Sequence, residues 1–421
     1  MKKLSIVKVI LLLLSCVFVD HVYTKAWTFL VYISADNDLK DFVELNLSQM
    51  RAVGSNDDIT IVVYLCEKKN SIKSGKRILI LKNGQQVISV DPQADGGSRQ
   101  TFKNACMWAV QSYPADHYGI IVWDHGSGPL NRIVRGVAYD YTTGHYLTDR
   151  DLHAVMQDLH TYLGKKVDIL AFDACLMAGI ELQGYCAPYV NYFVASQETI
   201  PGTGWDYKKF LSRITAQSSP EQVARAMVEA YRDTYQYRIK DYTLSAVDLT
   251  TMGLLSKKIN ELALVFTKLL SLRDMQKPTL KFLKTVALPS LCICFDDPYY
   301  DYADIETLLQ NMIKHSSILT SSAVSTVGQQ LVKSALTLVQ ESREIREKSV
   351  IALTAGAPYA QAGGISIYWP RTKAHYSYDK LGWTTLYPAW STLINHYAYY
   401  SRRVIHDCDW DRTTDAEDSC V

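Results

Sequence analysis

Downstream of its N-terminal stretch the chain lacks any run of about 18 apolar residues, the minimum for a helix that spans a bilayer, so a soluble mature protein is expected. It also lacks a charge excess. Lys and Arg number 44 against 43 Asp and Glu, a formal charge of +1, and no basic stripe is interleaved with aromatics. That balance argues against nucleic acid as a partner. Internal repeats and low-complexity linkers are absent too, so nothing in the composition marks a sharp boundary between structural units.

A disulfide framework is likewise missing, although the chain has nine cysteines. Cys66, Cys106 and Cys186 sit in apolar or helical patterns and read as small buried hydrophobes. Cys292 and Cys294 share a Leu-Cys-Ile-Cys-Phe strand, where a bridge between i and i+2 is awkward and a metal would lack further ligands. Cys408 and Cys420 flank a charged tail and are the one pair expected to bridge.

With 421 residues and 48% hydrophobic content, the chain is ample for one large α/β unit and a smaller one, because single cores stop growing near 250 to 300 residues. Met1-Lys2-Lys3 followed by the apolar stretch Leu4 to Phe18, broken only by Lys8, reads as a signal peptide over residues 1–26. Leu13-Leu14-Ser15-Cys16 has the form of a bacterial lipobox, whose lipidated Cys16 would tether the protein to a membrane face. Thr24-Lys25-Ala26 suits an ordinary signal peptidase instead, and both readings stand. Either way the protein is expected to be exported.

Buried strands are expected at Trp27 to Ser34, Asp58 to Cys66, Tyr118 to Trp123, Val167 to Phe172, Tyr192 to Ser196 and Thr243 to Asp248. Asn83-Gly84 suggests a hairpin between Arg77 to Lys82 and Gln86 to Val90. Helices are expected at Asp38 to Ala52, Ser98 to Ser112, a Thr148-capped stretch ending at Leu163, Met177 to Cys186, Pro220 to Tyr235 and Met252 to Leu272. Beyond these, helices near Ala303 to His315 and Ser322 to Ser342 mix with strands near Leu291 to Phe295 and Gly364 to Trp369. Residues 27–250 form the expected first unit and 251–421 a C-terminal α+β unit packing on its sheet. Tyrosine is abundant, with 28 residues, and clusters at residues 299–302 and 376–400, where packing between the two units is the simpler reading and peptide or glycan binding the other.

The chemistry is concentrated at two strand ends. Tyr118-Gly119-Ile120-Ile121-Val122-Trp123 delivers Asp124-His125-Gly126-Ser127-Gly128, and a second apolar segment, 50 residues on from His125, delivers Asp173-Ala174-Cys175. Parallel strands present their carboxyl ends on one edge, where open α/β sheets hold ligands, so His125 and Cys175 are expected to face each other across a cleft. A thiol becomes a competent nucleophile as thiolate, and a nearby imidazole stabilises that thiolate and later protonates the leaving amine. A helix starting just after Cys175 would depress the thiol pKa further. The N–H groups of Gly126 and Cys175 are the expected oxyanion donors. No orienter of the imidazole is evident, since Asp124 points away from its neighbour along an extended chain. A dyad is therefore expected.

Four blocks together, namely Trp27 to Leu39, the Trp-Asp-His-Gly run, Ser196 to Trp205 and Gly363 to Pro370, resemble the clostripain family of caspase-like cysteine peptidases. Caspases themselves place a histidine about 50 residues before a cysteine. The resemblance implies a caspase-like three-layer α/β/α sandwich with a mostly parallel central sheet and a smaller C-terminal α+β part. It implies an endopeptidase cleaving after arginine or lysine, with Asp173 receiving the cation and Glu198 and Thr203 as further pocket residues. It also implies self-processing between the histidine and cysteine strands, for which Arg132 and Arg135 are the candidate sites. No cofactor is required, though calcium is known in the family; Asp36, Asn37 and Asp38, or Asp296 and Asp297, offer oxygen ligands without the spacing of a dedicated loop. A monomer acting on peptides or proteins is expected. Two rival readings are a surface binding module whose activity is vestigial, and a peptidase with another specificity, such as asparagine.

Overall fold

The computed structural model describes residues 24–128, 136–295, 301–320, 324–371 and 373–406. Twelve strands occur among these residues: β1 (Lys25–Ala35), β2 (Ile59–Lys69), β3 (Ile72–Leu81), β4 (Gly84–Pro92), β5 (Ala115–Trp123), β6 (Val167–Asp173), β7 (Val190–Ala195), β8 (Thr243–Asp248), β9 (Cys294–Phe295), β10 (Tyr302–Asp304), β11 (Val350–Ala355) and β12 (Ser366–Tyr368). Nine of them form one sheet in the order β11-β8-β7-β6-β5-β1-β2-β3-β4. Its centre, β7-β6-β5-β1-β2, is parallel, and both flanks are antiparallel.

The central strands read as unbroken apolar runs because both of their faces are covered. Along β1, Leu30 and Tyr32 enter one core while Phe29, Val31 and Ile33 enter the other, all fully buried. Helices α1 (Val43–Val53), α5 (Tyr207–Leu211) and α6 (Pro220–Tyr235) cover the second face. Helices α2 (Arg99–Ser112), α3 (Asp149–Leu163), α4 (Ile180–Cys186) and α7 (Met252–Ser271) cover the first. The result is the three-layer α/β/α arrangement with a mostly parallel sheet. Helix α3 starts where the sequence placed it: Thr148 and Asp151 close a reciprocal capping box, and Gly164 ends the helix in the left-handed conformation.

The chain beyond residue 250 continues the first core rather than building another. Helices α8 (Gln276–Val286), α9 (Ile305–Lys314), α10 (Thr326–Ser349), α11 (Gly382–Leu386) and α12 (Pro388–His406) bring Leu283, Leu308, Val339, Trp383 and Trp390 into it. Strand β11 closes the far edge of the large sheet against β8. The short sheet β12-β10-β9 joins the loop that carries Cys175 through a bridge between Ser366 and Gly179.

Candidate active site

Chain order reverses about β1: β2 lies on one side of it and β5, β6 and β7 on the other. A crevice at the carboxyl ends of the strands is expected at such a switch point. Trp123 and Asp173 are paired in the β5–β6 ladder, so His125 and Cys175 each stand two residues past the same rung. Both line one cavity of about 290 Å³, together with Leu39, Trp123, Asp124, Asp173 and the segment Thr199 to Gly202.

Close approach of the two loops depends on Gly126. A Cβ there would sit 2.6 Å from the Cys175 carbonyl oxygen, which no side chain permits. No acceptor among the described residues takes the N–H of Gly126 or of Cys175.

Cys175 does not open a helix. Residues 174–179 form a turn in which Leu176 has a positive φ of 60°, and α4 begins only at Ile180. The turn is held away from helical geometry because the Leu176 N–H bonds the Glu198 carbonyl and the Ala178 N–H bonds the Ser196 carbonyl. The helix-dipole contribution expected from sequence is therefore absent. Burial raises the thiol pKa, the carboxylates of Glu198, Asp173 and Asp124 raise it further, and the Ile200 N–H opposes them. The sulfur sits between the two backbone groups of Ile200, accepting from its N–H at 3.2 Å and donating to its carbonyl at 3.7 Å.

His125 has a partner that the sequence reading missed. Its Nε2 lies 2.7 Å from Asp38 Oδ1, and the Tyr141 hydroxyl donates to the same oxygen at 2.8 Å. The imidazole bond is the chief cause that holds the Asp38 carboxyl below its usual pKa. Asp124, though adjacent to His125, is fully buried and bonded to the Asn37 amide at 2.6 Å, and burial pushes its pKa well up. Imidazole and thiol are not hydrogen-bonded to each other in this resting arrangement.

Asp173 is buried on the cavity wall. Its Oδ2 accepts from the Trp205 N–H at 3.0 Å and the Tyr207 hydroxyl at 3.1 Å, whereas Oδ1 has no partner among the described residues. Burial pushes this carboxyl up to about 7, against the pull of those two donors. Gly204, with φ of 64°, passes so close that a Cβ would lie 2.7 Å from Oδ2. Glu198 and Thr203 do not line the cavity as expected. The Glu198 carboxylate turns to the Thr199 N–H and the Tyr359 hydroxyl, and the Thr203 hydroxyl pairs with Tyr235 at 2.9 Å. Their neighbours Thr199 to Gly202 and Gly204 form that wall instead.

The Asp36-Asn37-Asp38 run does not fit calcium. Asp36 faces the Lys73 ammonium at 3.4 Å, the Asn37 amide donates to Asp124, and Asp38 faces His125, so the three side chains diverge. Among the described residues no group of three His, Cys, Asp or Glu side chains is placed to hold a metal ion, and no helix is long and apolar enough to cross a membrane. Asp296, Asp297, Arg132, Arg135, Cys16, Cys408 and Cys420 lie outside the described residues. Cys66, Cys106, Cys186, Cys292 and Cys294 are free thiols, the first four buried.

The chain is 22% identical to clostripain of Hathewaya histolytica, an alignment covering 73% of this chain and 70% of that protein. Its fold is similar to that of a secreted C11 cysteine protease from Bacteroides thetaiotaomicron solved with an irreversible peptide inhibitor, with a TM-score of 0.61, 22% identity and coverage of 86% and 98% of the two chains. An inactive zymogen C11 protease from Parabacteroides distasonis gives a TM-score of 0.60 at 18% identity, covering 86% of this chain and 98% of its own. The sequence profile of the clostripain family matches residues 31–410, so the chain belongs to the clostripain family of cysteine peptidases.

Proposed function

We propose that the protein is an exported endopeptidase that cleaves after arginine or lysine through Cys175 and His125. The observation that carries this reading is one cavity lined by Cys175, His125 and Asp173, the last a buried carboxyl whose Oδ1 has no hydrogen-bond partner among the described residues. An unpartnered buried carboxylate is costly unless a cation meets it, and a guanidinium or ammonium supplies both charge and donors.

In the proposed cycle, His125 takes the Cys175 proton as substrate fills the cavity, and the thiolate attacks the carbonyl carbon. The carbonyl π electrons move to oxygen, where the Gly126 and Cys175 N–H groups receive the negative charge. Collapse expels the amine, protonated by His125, and leaves a thioester. Water, deprotonated by His125, then releases the acid and restores the thiol.

Self-processing after Arg132 or Arg135 belongs to this reading. The residues on either side of 129–135 are pinned together: the Ser127 N–H bonds the Gly136 carbonyl at 3.1 Å and Val137 is paired with Leu147. A cut between them would leave Ser127 and Gly136 still joined beside the loop that carries His125. Export rests on the basic and apolar N-terminal stretch, and a similar fold belongs to a protease described as secreted.

The test is a panel of fluorogenic peptides with Arg, Lys, Asn, Asp or Leu before the scissile bond, comparing wild type with Cys175→Ala. Cleavage confined to Arg and Lys and abolished by the substitution is the expected result. Cleavage that survives Cys175→Ala contradicts the mechanism, and preference for Asn or Asp contradicts the pocket. A single intact chain by mass spectrometry in an active preparation contradicts self-processing.

A further inference from the structure

We propose that Asp38 is the positioning residue for His125, holding the proton on Nε2 so that the Nδ1 lone pair is left to receive the Cys175 proton. The inference rests on the Cys175 and His125 mechanism above and adds a third participant to it.

An ionised carboxylate can only accept hydrogen bonds, so the 2.7 Å contact between Asp38 Oδ1 and His125 Nε2 places the proton on Nε2. The opposite tautomer would set two lone pairs against each other. The Tyr141 hydroxyl, donating to the same oxygen at 2.8 Å, keeps that carboxylate turned toward the ring.

The backbone beneath Asp38 is fixed independently of the histidine. Asn37 caps the short 3-10 turn Asp38–Phe42 by accepting from the Leu39 N–H at 3.0 Å. Its amide donates to Asp124 Oδ1 at 2.6 Å, to the Ser34 carbonyl at 3.2 Å and to the Tyr139 carbonyl at 3.0 Å. One side chain thus ties the end of β1, the end of β5 and the loop carrying Tyr141 together, and Asp38 projects from that knot. The Asp38 side chain is 65% exposed, so water screens its charge; its contribution is choice of tautomer and ring orientation more than Coulomb energy. During the cycle the carboxylate faces the imidazolium and takes no proton itself. The same logic fixes the imidazole in the serine-protease triad, although the elements here are unrelated.

The experiment compares Asp38→Ala, Asp38→Asn and His125→Ala. Kinetics on an arginyl peptide are paired with ¹⁵N NMR of the imidazole ring in a Cys175→Ala background and with thermal melts. The expected result is a fall in kcat on the order of 10- to 100-fold for Asp38→Ala with KM within about twofold, a smaller fall for Asp38→Asn, whose carbonyl still accepts from Nε2, and unchanged melting midpoints. The ring should be the Nε2–H tautomer with Asp38 present and a mixture in Asp38→Ala. Unchanged kcat, a raised kcat that would mark Asp38 as holding the imidazole away from the thiol, or an unaltered tautomer overturns the proposal while His125→Ala is inactive. Full activity of His125→Ala overturns the underlying mechanism instead.

Discussion

Gly126 and Cys175 meet backbone to backbone, with room for nothing larger than a hydrogen: a Cβ on residue 126 would be 2.6 Å from the Cys175 carbonyl oxygen and 3.0 Å from the Ala174 side chain. Both obstacles belong to the turn that carries Cys175, so relief of the clash shifts either that turn or the loop that carries His125. Gly126→Ala should lower kcat/KM by on the order of 100-fold, the cost of a misplacement near 1 Å, while the protein stays folded by circular dichroism. Activity within threefold of wild type would show that the two loops are not this tightly coupled.

Asp173 yields a prediction about pH. Its carboxyl, pushed up to about 7 by burial, is neutral below that value and charged above it. The preference for an arginyl over a norleucyl peptide, measured as a ratio of kcat/KM so that thiol and imidazole titrations cancel, should rise as pH rises through about 7. Asp173→Asn should flatten the ratio and reduce arginyl cleavage on the order of 100-fold or more, because under the proposed pocket assignment the substrate guanidinium would lose its carboxylate partner. Reaction of Cys175 with a small neutral alkylating agent should persist in the variant.

Glu181 is fully buried beneath β12, bonded to the Tyr368 N–H and the Tyr378 hydroxyl, with Oε2 unpartnered among the described residues; burial pushes its pKa up to about 7 from 4.5. The folded state therefore keeps a proton that the unfolded chain releases between pH 4.5 and 7, and this group makes stability fall as pH rises through that window. Glu181→Gln should remove that part of the slope, with a gain above pH 7 of at most about 3 to 4 kcal/mol and none below pH 4.5. Denaturant melts at a series of pH values will read it, and identical slopes for both proteins would refute the assignment.

Lys73 is buried between Asp140, at 2.6 Å, and Asp36, at 3.4 Å. Asp140 also accepts from the N–H groups of Gly96, Thr142 and Thr143, so this ion pair ties β3 to the loop that follows the histidine. Lys73→Met strands a buried carboxylate and should destabilise the protein by about 3 to 5 kcal/mol, with loss of activity following loss of fold. A denaturation midpoint equal to that of wild type would show the pair to be dispensable.

Strands with apolar faces on both sides were readable from β-branched runs, and β1, β5, β6 and β8 fall within a few residues of expectation. Local chemistry also placed the Thr148 cap and the Pro220 start of α6. Three things were hidden for physical reasons. Residues 67–69 and 72–76 are largely polar, yet they continue β2 and β3, because antiparallel pairing at a sheet flank needs only backbone partners. Strand β11 follows a 24-residue helix without a turn signal, and only its long-range pairing with β8 defines it. Asp38 looks from sequence like a candidate calcium ligand because strand order is not local information; once β1 lies beside β5, the end of β1 must meet the histidine loop. The helix expected directly after Cys175 was delayed to Ile180 by two backbone bonds from the 196–198 segment, which no helix propensity within 175–180 could reveal.

The claim on which the account depends is that Cys175 attacks a carbonyl held beside His125. Wild type and His125→Ala should be treated with a peptidyl arginine chloromethyl ketone and the labelled residue mapped by mass spectrometry. One thioether is expected on Cys175 in wild type, with chloride lost, and labelling slowed at least tenfold in His125→Ala. Labelling at another residue, or at Cys175 with equal speed in both proteins, would contradict it.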